Sequence, residues 1–332
     1  MHKAWLTAHS HPVYTCIRSA LGSPDFSLMT QRRTQAEGAF HHPGLSLRRG
    51  TLVVALCWIG FVQLGFAAAS QQPPEQPVTI LSTPGGFRFG IIGQKDPTPS
   101  PTLLIFSASS FERTFQDPNI NRMGLLMRRT NGFLLVSMDL PCHGADQRPN
   151  EPAGLAGWYF RLRNGENFVP DFLARASSVL DYLISQGYTD PQRIAVYGIS
   201  RGGFMAFQFA GAEPRVRWVV AFAPVTNLLA LSEFSSMWNN AATRSLALTQ
   251  IVDRLVGRAI WMCIGNLDDR VNTDDAIAFA RRFVEAAQVK GQFPDLTIEF
   301  QPTIDHAILP DSHDKAAAWL RQRLEKPFVP PR

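Results

Sequence analysis

Cysteine is scarce in this chain: there are four in 332 residues, and Cys16 and Cys57 both precede residue 70. Beyond that point only Cys142 and Cys263 remain, so at most one disulfide, between those two, is open to the chain in an oxidising compartment. Cys263 lies in an apolar run, where a buried free thiol is the ordinary outcome. Neither a C-x-x-C nor an H-E-x-x-H pattern occurs, so no metal and no cofactor is expected. Histidine thins out as well, since five of the eight fall in residues 1–69 and leave His143, His306 and His313. The net charge of +5 is equally uneven: residues 1–69 hold six basic residues against Asp25 and Glu37, whereas 26 basic face 25 acidic residues from Ser70 onward. The later arginines are scattered and form no basic stripe, which argues against a nucleic-acid partner. No internal repeat and no second domain is visible.

Long hydrophobic runs are missing with one exception. Residues 51–69 are uncharged and mostly apolar, follow Arg48-Arg49 and end in Ala67-Ala68-Ala69. A positive flank, an apolar run and a small-residue exit make a secretory signal cleaved near Ala69, which implies export to the periplasm or outside the cell. The competing reading is a membrane anchor, because nineteen residues is just long enough to span. Ser46-Leu47-Arg48-Arg49 hints at a twin-arginine signal whose remaining motif is absent. Residues 1–50 carry no periodicity, and a start at Met29 would account for them. Residues 70–77, with Pro73, Pro74 and Pro77, read as a linker.

What remains is rich in apolar runs, and a hydrophobic content of 45% suffices for a sizeable core. Residues 78–81 and 87–92 read as an antiparallel hairpin, and 102–106 as a buried strand ending in Ser107-Ala108-Ser109-Ser110. Asp117-Pro118 starts a helix that runs to about 129 and stops at Asn131-Gly132. Residues 133–138 form the next strand, followed by irregular chain to about 165 that contains Trp158-Tyr159-Phe160. Helical spacing covers 167–186, and Asp190-Pro191 turns the chain into a strand at 194–197. Further strands are expected at 216–222, 259–264 and 296–300, with helices at 273–289, begun by Thr273, and at 312–324. Residues 226–256, with Met237 and Trp238, are a candidate lid of helical and irregular chain. The aromatic clusters at 158–160 and 237–238 read equally well as pocket lining or as core. Strands alternating with helices predict an α/β fold with a mostly parallel central sheet covered on both faces.

One stretch organises the rest. An apolar strand ends at Tyr197, the chain turns at Gly198-Ile199-Ser200-Arg201-Gly202, and a helix follows. This G-x-S-x-G between strand and helix is a nucleophile elbow, whose glycines permit a turn too tight for side chains. A serine hydroxyl needs a base. His306, in a loop after the last strand, is preferred, with His143 and His313 as alternatives. The acid should lie between nucleophile and base, just past a strand, and Gly265-Asn-Leu-Asp-Asp-Arg-Val271 offers Asp268 or Asp269. Only one can face the imidazole, and Asp269 beside Arg270 would then form an ion pair. The oxyanion hole needs two N–H donors: Arg201, which follows the nucleophile, and Ser109, with Ala108 as the substitute.

Taken together, residues 78–326 resemble the α/β-hydrolase superfamily. Gly198-Ile-Ser-Arg-Gly-Gly203 and Gly265-Asn-Leu-Asp-Asp-Arg-Val271 are similar to the prolyl oligopeptidase-type (S9) catalytic domain and to the dienelactone-hydrolase-like esterases, as is Asp139-Leu-Pro-Cys-His-Gly144. The resemblance implies that the first Asp of Asp-Asp-x-Val is the triad acid, which favours Asp268. The family's usual His-Gly after the oxyanion strand is replaced by Ser107-Ala108, and a propeller has no room. The expected protein is an exported serine hydrolase acting on a small ester, with a Ser-His-Asp triad. A peptidase for short peptides and a non-catalytic binding protein on the same fold are the alternatives. Membrane contact is expected only if residues 51–69 stay uncleaved.

Overall fold

The computed structural model describes residues 77–325, so the signal or anchor at 51–69, the N-terminal extension with its alternative start, Cys16, Cys57 and nearly all of the linker lie outside the described residues. The chain opens with β1 (Val78–Ser82), β2 (Arg88–Ile92) and β3 (Ser100–Phe106), then α1 (Phe111–Gln116), α2 (Pro118–Asn131) and β4 (Leu134–Ser137). It continues through α3 (Gly154–Arg163), α4 (Val169–Ser185), β5 (Thr189–Ile199), α5 (Arg201–Ala212) and β6 (Val216–Phe222). The segment after β6 holds 3-10 turns and the short helices α6 (Ala241–Ser245) and α7 (Val252–Leu255). The chain closes with β7 (Ala259–Gly265), α8 (Thr273–Val289), β8 (Leu296–Gln301) and α9 (Ser312–Glu325).

All eight strands form one sheet in the order β1-β2-β4-β3-β5-β6-β7-β8. The β1–β2 and β2–β4 pairs are antiparallel; β4, β3 and β5 through β8 run parallel. Alternation along the central strand shows why both faces are covered. On β5, Ile194 and Val196 join a core with Phe172 of α4, Phe204 and Phe207 of α5, and Phe279 of α8. Ala195 and Tyr197 face the other way, into a core with Met123 and Met127 of α2 and Trp319 and Leu320 of α9. The expected turn at Asp190-Pro191 sits within β5 as an irregularity: Ser100 pairs with Thr189 but Thr102 with Ile194.

Several expectations change. Residues 145–165 are not irregular throughout, because α3 occupies Gly154–Arg163 and buries Trp158, whose Nε1–H donates to Pro141 O at 2.6 Å. Of the aromatic clusters, Trp158 and Met237 are core, while Phe160 and Trp238 are exposed. The cap of α8 is Asn272, accepting from Asp275 N, rather than Thr273. Cys142 and Cys263 are both buried and free. No helix among the described residues is long and apolar enough to cross a membrane.

A buried ionic cluster fastens the loop after β4 onto α3. Arg161, 3% exposed, donates through Nε and Nη2 to the Glu151 carboxylate, both at 2.8 Å, and reaches Asp146 at 3.1 Å. Replacing Arg161 by Met strands the Glu151 charge in the interior. Urea denaturation should then register a loss of about 3–5 kcal/mol of unfolding free energy.

Candidate active site

Ser200 occupies the turn between β5 and α5 at φ 55, ψ −119. This is a left-handed region that a side chain enters at a cost of roughly 1–3 kcal/mol. Its surroundings hold it there. Ser200 N donates to Phe222 O at 2.9 Å, while Phe204 N and Val225 N donate to Ser200 O at 3.2 and 3.1 Å. The glycines answer to close approach: a Cβ on Gly198 would stand 2.3 Å from Gly202 O, and one on Gly202 would stand 2.1 Å from Phe106 O. The five non-glycine residues with positive φ among the described residues, Cys142, Asn150, Ser200, Ala223 and Asn272, all lie in loops leaving the ends of β4 to β7. Strain is concentrated on the carboxyl edge of the parallel strands, where open α/β sheets bind ligands.

On that edge the loops after β7 and β8 bring Asp268 and His306 together. Asp268 Oδ2 accepts from His306 Nδ1 at 2.8 Å, with the carboxylate fully buried and the imidazole about a quarter exposed. A carboxylate can only accept here, so the proton sits on Nδ1 and Nε2 presents its lone pair outward. The other carboxylate oxygen, Oδ1, accepts Arg270 N at 3.0 Å and Val271 N at 3.1 Å. Thr273, which the sequence offered only as a helix cap, pins the same loop: its Oγ1 accepts Asp268 N at 3.0 Å and donates to Gly265 O at 2.7 Å. Gly265 lets the His306 loop approach, since a Cβ there would meet Thr303 Oγ1 at 2.4 Å. The Ser200 hydroxyl itself makes no hydrogen bond among the described residues.

The alternatives are placed differently. Asp269 is exposed, and Arg270 pairs with Glu233 instead, at 2.6 and 2.7 Å. This corrects the expected Asp269–Arg270 pair. His143 is buried between Pro141 O and Arg201, with no carboxylate on its ring. His313, expected on a solvated face, is 5% exposed and stacks on Phe222 at 4.7 Å. Burial, helped by the Arg122 charge, pushes its pKa down to about 4. The folded protein therefore keeps this ring neutral where the unfolded chain takes up a proton. The stabilisation is complete above the ordinary histidine pKa and is lost as pH falls towards 4. Denaturation at a series of pH values should show a decline of up to about 3 kcal/mol from this group between pH 7 and 4. His313→Phe, which keeps the stacking, should show a shallower decline.

The two expected oxyanion donors are differently placed. Arg201 begins α5 and its N–H has no helical acceptor. The N–H of Ser109, the expected second donor, is taken by Ser107 Oγ at 3.1 Å, and Ser107 Oγ in turn shares a 2.6 Å hydrogen bond with Thr114. The N–H of Ala108 has no partner among the described residues. Asp139, the first residue of Asp139-Leu-Pro-Cys-His-Gly144, clasps this loop by accepting Phe111 N at 2.9 Å and Ala145 N at 2.7 Å. Burial raises its pKa against the lowering effect of those two N–H groups. Gly144, at φ 50, is required because a Cβ would stand 2.3 Å from Asp139 Oδ2.

The chain is 25% identical over 251 residues to the esterase YjfP of Escherichia coli (strain K12), covering 70% of this chain and 92% of that protein. Among solved structures it is similar to dipeptidyl peptidase 4 of Porphyromonas gingivalis, with a TM-score of 0.51 and 16% identity. That likeness covers 74% of this chain and 35% of the peptidase, so the chain spans about a third of the peptidase's length. It is also similar to acetyl xylan esterase 1 of Thermoanaerobacterium sp. JW/SL YS485, with a TM-score of 0.52 and 18% identity, covering 74% of this chain and 82% of that one. At such identities the structural likeness speaks for the fold, that of the α/β-hydrolases. Residues 156–325, just over half of the chain, match the prolyl oligopeptidase family. That span runs from α3 to α9 and contains Ser200, Asp268 and His306, and the chain belongs to the prolyl oligopeptidase family.

Proposed function

We propose that this member of the family cleaves a carboxylic ester by acyl transfer through Ser200, His306 and Asp268. The observation that carries the proposal is the 2.8 Å contact from His306 Nδ1 to the buried Asp268, which leaves Nε2 as a base on the edge that carries the strained serine. Nε2 takes the hydroxyl proton as Ser200 Oγ attacks the ester carbonyl, and the resulting imidazolium is stabilised by Asp268. The tetrahedral oxyanion is held by Arg201 N–H and by an N–H of the 107–110 loop. His306 then protonates the departing alcohol, and a water deprotonated by His306 releases the acid. The contact between Ser200 and His306 closes as substrate binds, in keeping with the looser geometry of resting active sites.

Support for an ester over a peptide comes from extent, since the alignment covers 92% of the esterase YjfP but only 35% of the dipeptidyl peptidase. Export is part of the same proposal and rests on the Arg48-Arg49 flank and the apolar run at 51–69. Turnover of a panel of p-nitrophenyl esters, alongside aminoacyl p-nitroanilides, tests the bond cleaved. Esters should be hydrolysed with the larger kcat/KM. Preferential release of nitroaniline would establish the peptidase reading instead.

A further inference from the structure

The chemistry above asks only for the backbone N–H of Arg201 and leaves its side chain without a task. That side chain is held in a built setting. His143 Nδ1 lies 2.8 Å from Pro141 O, a pure acceptor, so Nδ1 carries the proton and Nε2 accepts from Arg201 Nη1 at 3.3 Å. Gly154, at φ +62, provides the space, because a Cβ there would stand 2.8 Å from Arg201 Nη1. The guanidinium is thus seated against a neutral imidazole and a glycine, at the carboxyl edge of the sheet, one residue from the nucleophile.

No carboxylate accompanies it. Among the described residues Arg201 forms no ion pair, and its Nε is buried without a hydrogen-bond partner. Arg161 holds Glu151, Arg215 holds Glu213, and Arg270 holds Glu233, whereas Arg258, away from the Ser200 turn, shares with Arg201 a buried Nε that has no partner among the described residues. Glu233, whose charge favours that of Arg201, is engaged by Arg270, whose own charge opposes it. Burial and this repulsion hold the guanidinium below its usual pKa. Arg201 nevertheless keeps part of its surface open. A desolvated cation with a planar, partly unused fork is suited to an anion that arrives with the ligand.

We infer that Arg201 is a specificity residue, resting on the ester-hydrolase reading, and that the preferred substrate carries a carboxylate placed to meet its guanidinium. The carboxylate belongs to the acyl half, as in a half-ester of a dicarboxylic acid, or to the alcohol half, and the assay separates the two. On the acyl side, mono-p-nitrophenyl glutarate and adipate are compared with p-nitrophenyl valerate and hexanoate. On the alcohol side, the butyrate ester of 4-hydroxybenzoate is compared with that of 4-hydroxybenzamide. The wild-type protein should favour the anionic member of one pair by tenfold or more in kcat/KM. In Arg201→Met that ratio should fall by at least tenfold, and Arg201→Lys should restore part of it. A purely structural role for Arg201, or a partly unfolded variant, would depress both members of a pair alike and leave the ratio in place.

A wild-type ratio at or below one on both sides, or a ratio untouched in Arg201→Met, would overturn the inference while leaving ester hydrolysis standing. Failure of the folded wild-type protein to hydrolyse any of these esters would remove the hydrolase reading and this inference with it.

Discussion

His306→Ala should lower kcat by about 10⁶-fold, and adding Ser200→Ala should lower it little further, because base and nucleophile act as one unit. The expectation follows from the wiring of the imidazole. Its Nδ1 is committed to Asp268 at 2.8 Å, and neither remaining histidine can substitute. His143 has both ring nitrogens engaged, and His313 is stacked on Phe222 with its pKa pushed down to about 4. Steady-state and single-turnover rates on an activated ester, measured for the two single variants and the double, check the claim. Independent, multiplying losses would show that the two side chains do not work together.

Asp268→Asn should cost about 10⁴-fold in kcat while leaving the fold intact, and Asp269→Asn should remain near the parent rate. The carboxylate at 268 accepts on both oxygens: Oδ1 from two backbone N–H groups at 3.0 and 3.1 Å, and Oδ2 from His306. An amide has one acceptor and one donor end. If its oxygen serves the backbone, its NH2 faces Nδ1 and forces the imidazole into the tautomer that carries its proton on Nε2, where it cannot accept from a serine. If the amide flips, two backbone N–H groups lose their acceptor. Asp269 is exposed and free of ion pairs among the described residues, so its charge has no comparable task. Equal losses in the two variants would reject Asp268 as the acid.

Legibility of this site from the chain alone tracks how local each requirement is. The elbow was readable because Gly198, Ser200 and Gly202 meet their constraints within one turn and the helix directly after it. The strands of the core were readable because both faces of the sheet are covered, which writes them as continuous apolar runs. Boundaries mostly agree within one or two residues, as with residues 167–186 against Val169–Ser185. What escaped depends on partners far along the chain. Asp139 clasps Phe111, 28 residues away, and Arg270 finds Glu233, 37 residues away, rather than its neighbour Asp269. His313 looked solvated beside Asp311 and Asp314, yet the helix turns it onto Phe222. The short helix α1 carries little periodicity in six residues, and Thr273 hid behind its plausibility as a cap. For Ser109, the expected second oxyanion donor, the hydroxyl of Ser107 two residues back competes for its N–H.

The central claim is that Ser200 is a nucleophile made reactive by the pair formed by His306 and Asp268. Labelling with a fluorophosphonate, followed by mass-spectrometric location of the adduct, tests it most directly. The account predicts a single adduct on the peptide bearing Ser200, formed quickly in the parent protein, slowly in His306→Ala and not at all in Ser200→Ala. An adduct on a different residue, equal labelling of the His306 variant, or a folded parent protein that stays unlabelled would contradict it.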